Sequence, residues 1–143
     1  MGLYTLIWVA SLKEKTPLLN KKILVVEDED MIRELLKDEL EDFGAQVVEA
    51  TNGKEALEYC NKEKFSLIIT DLRMPGFGGV QFVKELYKQK EQSEKLINPN
   101  VIVLTGNIDY DANELKSNGV LEVFFKPINF NEFLDYVCEA TGN

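Results

Sequence analysis

The side chains able to do chemistry stand at the ends of short apolar runs. Asp71 closes Leu67-Ile-Ile-Thr70 and is followed at once by a Pro/Gly-rich stretch, Leu72-Arg-Met-Pro75-Gly-Phe-Gly-Gly79. Lys22-Ile-Leu-Val-Val26 runs into four consecutive acids, Glu27, Asp28, Glu29 and Asp30. Val101-Ile-Val-Leu104 ends in Thr105-Gly106-Asn107, and Glu122-Val-Phe-Phe125 ends in Lys126-Pro127. Each of these taken alone has a plain structural explanation. An aspartate before Pro and Gly can cap a turn. Acids at a helix start are favoured by the helix dipole, with Asp30 suited to the N-cap. That explanation leaves Glu27 and Asp28 over, at the point where the strand ends. Three clustered carboxylates raise one another's pKa unless a cation joins them. Mg2+, a hard ion that keeps several waters and accepts phosphate oxygens, suits such a site. Lys126 and the Thr105 hydroxyl would complete a pocket for an anion beside the metal. A carboxylate nucleophile, a hydroxyl, an ammonium and Mg2+ together make a phosphoryl-transfer site.

For those groups to meet, the runs must be strands whose carboxyl ends share one edge. An apolar run without alternation reads as a strand buried on both faces. The segments between the runs have helical spacing. Ile32, Leu35, Leu36, Leu40 and Phe43 precede Gly44, which ends the helix. Ala45-Gln-Val-Val-Glu49 reads as a second, less apolar strand at a sheet edge, and Asn52-Gly53 opens a helix that turns Ala56, Leu57 and Cys60 inward. A helix from about Val80 buries Phe82, Val83 and Leu86 and continues partway into the long connection of residues 88–100. Another over Tyr110–Ser117 closes at Asn118-Gly119. The last opens at Asn129 with Glu132 three residues on, a capping-box pattern. Alternating strands and helices predict right-handed crossovers and a parallel sheet covered on both faces. In such sheets ligands bind at the carboxyl ends of the strands.

Composition narrows the function. A chain of 143 residues is one domain by size, and 45% hydrophobic with 29% charged residues is ordinary for a soluble globular protein. The net charge of −9 argues against a nucleic-acid surface. Histidine is absent, which removes a histidine base, a His metal ligand and a phosphohistidine carrier from this chain. Cys60 and Cys138 read as small buried residues in a reducing, cytoplasmic compartment. Residues 1–20 differ from the rest and are expected to form an N-terminal extension to a domain over 21–143. Leu3–Ala10 is apolar but far short of the roughly 20 residues that span a bilayer, and no positive residue precedes it as in a signal peptide. Its apolar side chains are expected to pack on the domain or on a second copy. No membrane span is expected.

The stretches Ile23-Leu-Val-Val-Glu27-Asp28-Glu29, Asp71-Leu-Arg-Met-Pro75-Gly, Leu104-Thr105-Gly106 and Phe125-Lys126-Pro127, in that order, resemble the response-regulator receiver domain of two-component signalling. The resemblance runs from about Lys22 to Gly142. It implies a flavodoxin-like, doubly wound five-stranded parallel sheet of order 2-1-3-4-5 with helices on both faces. It implies that Asp71 is the phosphoacceptor, attacking a phosphohistidine on a sensor histidine kinase or phosphotransfer protein. Mg2+ would be held by Asp28, Asp71 and the backbone carbonyl of Arg73, with Glu27 acting through water. Thr105 and Lys126 would bind the phosphoryl group, and Lys126–Pro127 would be a cis peptide. Arg73 and Asn107 would flank the path of the water that hydrolyses the acyl phosphate. Output would pass to a protein target through the fourth helix, fifth strand and fifth helix. Apart from its own phosphotransfer and dephosphorylation, no enzymatic turnover is implied.

The chain departs from the family pattern at Val123, where receivers commonly carry the Tyr or Phe that turns inward on activation. The switch region of Val123 and Pro127 is therefore unusual. Three other readings compete with the phosphoaspartate switch. A phosphorylation-independent scaffold predicts loss of an acid, Thr105 or Lys126, and all are present. An aspartate-dependent phosphatase of the haloacid-dehalogenase type usually has a second aspartate where Arg73 stands. A dinucleotide-binding domain needs a Gly-rich turn where Glu27–Asp30 would repel a pyrophosphate.

Overall fold

The computed structural model describes residues 16–74, 76–92, 100–106 and 111–142. In chain order the elements are β1 (Lys22–Val26), α1 (Asp30–Asp42), β2 (Gln46–Ala50), α2 (Gly53–Lys62), β3 (Leu67–Asp71), α3 (Gly79–Gln92), β4 (Asn100–Thr105), α4 (Ala112–Ser117), β5 (Val120–Phe125) and α5 (Phe130–Thr141). The five strands are parallel in the order β2-β1-β3-β4-β5, as the resemblance implied. All five residues of the central β3 are buried, whereas the edge strand β2 starts exposed and buries only Ala50 fully.

Side-chain alternation splits the core into two layers. Leu24, Val26, Ile68, Val101 and Val103 meet Ala56 of α2, Phe82 and Val83 of α3, and Leu115 of α4. On the opposite face Ile23, Val25, Leu67, Ile69, Ile102 and Leu104 meet Leu36 and Leu40 of α1 and Phe133, Leu134 and Val137 of α5. Covering both faces buries the central strands β1, β3 and β4, so their polar ends project at the carboxyl edge of the sheet.

Local signals place the helix starts. Asn52 Oδ1 accepts from the Glu55 amide at 2.9 Å, and Asn129 Oδ1 accepts from that of Glu132 at 3.2 Å. Two expectations for α1 are corrected. Its N-cap is Glu29, without a side-chain cap, and Asp30 is the first helical residue. Leu35 is 46% exposed, because Leu36 and Leu40 already occupy the stripe that meets the sheet and Leu35 lies about 100° round from Leu36.

In the segment expected as an extension, Leu18 is fully buried among Ile23, Leu36, Leu40 and Ala45. Its amide donates to the Phe43 carbonyl at 2.8 Å. Residues 1–15 lie outside the described residues. Cys60 and Cys138 are free and half-buried, and burial pushes the Cys60 thiol up to about 12. Among the described residues no helix is long and apolar enough to cross a membrane.

Candidate functional site

Strand register brings the acids together. Val26 pairs with Thr70 across β1 and β3, so the next residues, Glu27 and Asp71, leave the sheet side by side. Asp71 pairs with Leu104 and Thr105 with Phe125, which sets Thr105 and Lys126 one step further along the same edge. Oxygens of Glu27, Asp28 and Asp71 lie within 4.8 Å of one another. This is the only such group of potential metal ligands among the described residues.

The phosphoacceptor candidate is firmly held. Asp71 is 8% exposed. Its Oδ1 accepts from the Leu72 amide at 2.7 Å and lies 3.4 Å from the Arg73 amide. Its Oδ2 faces the Lys126 ammonium at 3.1 Å. Gly79 closes the loop against it: the Gly79 amide donates to the Leu72 carbonyl at 3.2 Å, and a Cβ there would lie 1.8 Å from the Asp71 carbonyl oxygen. Gly53, at the start of α2, props the same loop from outside. Its amide donates to the Phe77 carbonyl at 2.8 Å, and a Cβ would meet the Phe77 and Gly78 carbonyl oxygens at 2.7 Å.

Lys126 serves as the cation of this arrangement. Its ammonium bonds Glu27 Oε1 at 2.7 Å as well as Asp71 Oδ2. Glu27 is 1% exposed, and burial, with help from the Asp71 charge, pushes its carboxyl from 4.5 up to about 7 against the lowering pull of Lys126. Burial alone would lower the Lys126 pKa, but the Glu27 hydrogen bond and both carboxylate charges outweigh it and raise it. Asp28 is the most exposed of the three acids. The chemistry of three oxygen donors around one point fits a hard divalent ion.

The remaining expected residues fall as follows. Thr105 is buried, and its carbonyl accepts from the Lys126 amide at 2.8 Å. The Arg73 side chain is exposed and lines an open cleft of about 590 Å³ with Leu72, Met74, Gln81 and Lys84. The Lys126–Pro127 peptide is cis, as expected. Val123 is half-buried against the layer that holds Leu115 and Val120, while Phe124, on the other face, stacks edge-on with Phe133 and Tyr136. Asn107 lies outside the described residues. Gly53 and Gly79 pack against the loop after Asp71, and Arg33 bonds the Glu27 carbonyl, but none of the three was assigned to the site from sequence. Arg33 recurs on the α1 face at the spacing of an ordinary surface charge, and only the Gly-rich run around Gly79 hinted at close backbone approach.

Comparison with known proteins points the same way. The family model described as "Response regulator receiver domain" matches residues 23–138. Sporulation initiation phosphotransferase F of Bacillus subtilis is 34% identical over 123 residues, covering 84% of this chain and 93% of that protein. The alkaline phosphatase synthesis transcriptional regulatory protein PhoP of the same organism is 44% identical over 72 residues, only 30% of its length. Among solved structures, a Francisella response regulator receiver domain superposes with a TM-score of 0.76 at 30% identity, covering 85% of this chain and 97% of that one. The Thermotoga maritima response regulator TrrA, solved with Mg2+ and BeF, gives 0.72 at 35% identity over 84% and 98%. Fold, site and matches agree: the chain belongs to the response regulator receiver domain family.

Proposed function

We propose that this chain is a phosphoaspartate switch, charged by a histidine kinase or phosphotransfer protein and read by a protein target. The observation that carries the reading is the nearly buried Asp71 carboxylate. It is oriented by two backbone amides and shares Lys126 with Glu27 at the carboxyl edge of the sheet. Asp28, Asp71 and the Arg73 carbonyl would hold Mg2+, with Glu27 acting through water. Mg2+ held there would supply positive charge to offset that of the phosphoryl oxygens beside the carboxylates. An Asp71 oxygen forms the new bond to phosphorus while the phosphorus–nitrogen bond of the donor breaks, and the electron pair leaves on the imidazole nitrogen. Lys126, already 3.1 Å from Asp71, then pairs with the phosphoryl group, and Thr105 hydrogen-bonds it from the next strand end. Both adjoin α4, β5 and α5, where the signal would emerge. On β5, Leu121 and Phe125 are exposed apolar side chains available to a target. The compartment is read as the cytoplasm.

Incubation with Mg2+ and a small acyl-phosphate donor, followed by intact mass, tests this. The wild type should gain one phosphoryl group and Asp71→Asn none. Equal uptake by both overturns the assignment. No uptake by a folded, Mg2+-binding wild type favours the scaffold reading.

A further inference from the structure

Four consecutive acids follow β1, and something must decide which of them face the site. Arg33, one turn into α1, joins the loop after β1, the start of its own helix and β2 with one guanidinium. Its Nη1 donates to the Glu27 carbonyl at 2.8 Å, its Nη2 bonds Asp30 Oδ1 at 2.6 Å, and its Nε lies 3.5 Å from Glu49 Oε1 on β2. The side chain is only 13% exposed. Lys37 approaches the other oxygen of Glu49 at 3.6 Å and so steadies the far anchor.

The Glu27 carbonyl belongs to the peptide unit that carries the Asp28 amide. That unit is planar, so fixing its oxygen fixes the plane from which the Asp28 side chain departs. Asp30, the fourth acid, is paired with the Arg33 guanidinium and is not among the acids that converge at the edge. Among the described residues, only Glu27, Asp28 and Asp71 offer oxygens to a common point.

We propose that Arg33 is a positioning residue for the metal site. It sets the peptide between Glu27 and Asp28 and pairs with Asp30, so that Asp28 is presented to Mg2+. This inference rests on the Mg2+ reading given above. A planar fork with donors in fixed directions can hold three acceptors at three places along the chain, whereas a lysine ammonium on a flexible stem cannot hold the same set.

The charge of Arg33 works in the opposite sense, which makes the inference testable. A cation near a dication site repels the dication. If only charge mattered, neutralising Arg33 would tighten Mg2+ binding. If Arg33 positions Asp28, neutralising it weakens binding despite the gain in negative potential. A merely structural role would lower the metal-free melting temperature and leave the Mg2+ affinity of the folded protein unchanged.

The experiment is calorimetric titration of Mg2+ into wild type, Arg33→Met and Arg33→Lys well below their melting temperatures. Amide spectra of the metal-free proteins are recorded alongside. The expected result is Mg2+ binding roughly tenfold weaker in Arg33→Met and several-fold weaker in Arg33→Lys, with shifted amides at residues 27–30 in both. Affinity equal to or tighter than wild type in folded Arg33→Met overturns the inference. Should that variant not fold, Arg33→Lys, which keeps the charge, decides alone: undiminished affinity overturns it. A wild type that does not bind Mg2+ overturns the metal reading itself, a result distinct from either.

Discussion

Glu27 gives the metal-free protein an unusual dependence on pH. Burial lifts its carboxyl from 4.5 to about 7 in the folded chain, while the unfolded chain releases that proton near the ordinary value. Between these values the folded state holds a proton that the unfolded state has lost. The stability that Glu27 contributes is therefore fully present below about pH 4.5 and is lost as pH rises through 7. Linkage over pH 5 to 8 gives a loss of roughly 2 kcal/mol. For a chain of this size that is about 6 °C in melting temperature. No histidine titrates within this window. Thermal melts in chelator across this range should fall with pH for wild type. Glu27→Gln, which cannot ionise yet still offers an oxygen to Lys126, should be nearly flat and should exceed wild type at pH 8. Millimolar Mg2+ should shrink the wild-type slope, since the ion favours the ionised carboxyl and displaces its proton. A wild-type melting temperature that is flat or rises from pH 5.5 to 8 would refute the reasoning, as would an unchanged slope in Glu27→Gln.

Three further outcomes are expected. Mg2+ should raise the wild-type melting temperature by mass action on the folded state, and Asp28→Ala should abolish most of that rise while remaining folded. Arg73→Ala should shorten the lifetime of the phosphorylated protein several-fold, a barrier change of roughly 1 kcal/mol, because the exposed guanidinium can swing over the phosphoryl oxygens and obstruct water. Equal lifetimes after the donor is removed would leave Arg73 without that role. Gly79→Ala should lower the melting temperature and cut the rate of phosphoryl uptake at least tenfold, since a Cβ 1.8 Å from the Asp71 carbonyl oxygen must displace the backbone of the proposed phosphoacceptor. Uptake at the wild-type rate would show that the loop yields without moving Asp71.

Much of this was legible because burial on both faces writes strands as bare apolar runs. Alternation of apolar with polar residues is missing from Leu67–Ile69 and Val101–Leu104, and the polar ends of these runs marked the edge where Asp71 and Thr105 emerge. What escaped the sequence depends on tertiary geometry that periodicity does not carry. Leu35 has the right residue type and spacing for the core, but the width of the contact between α1 and the sheet excludes it. The bridging of Glu27 and Asp71 by Lys126, nearly a hundred residues from Glu27, follows from register among the strands. Arg33 reads as a routine helix charge until its three acceptors are seen to tie the loop after β1, the start of α1 and β2 together.

Leu18 carries a consequence for anyone moving this domain into another protein. The family match begins at residue 23, yet a side chain five positions earlier plugs the layer between β1 and α1. A fusion joint placed at the start of the match would remove Leu18 from the buried cluster it shares with Ile23, Leu36 and Leu40. Loss of one buried leucine from a packed interior costs about 2–5 kcal/mol, a large fraction of the margin by which a domain of this size stays folded. Portability here is limited by packing, and the transferable unit starts at least as early as the turn that seats Leu18.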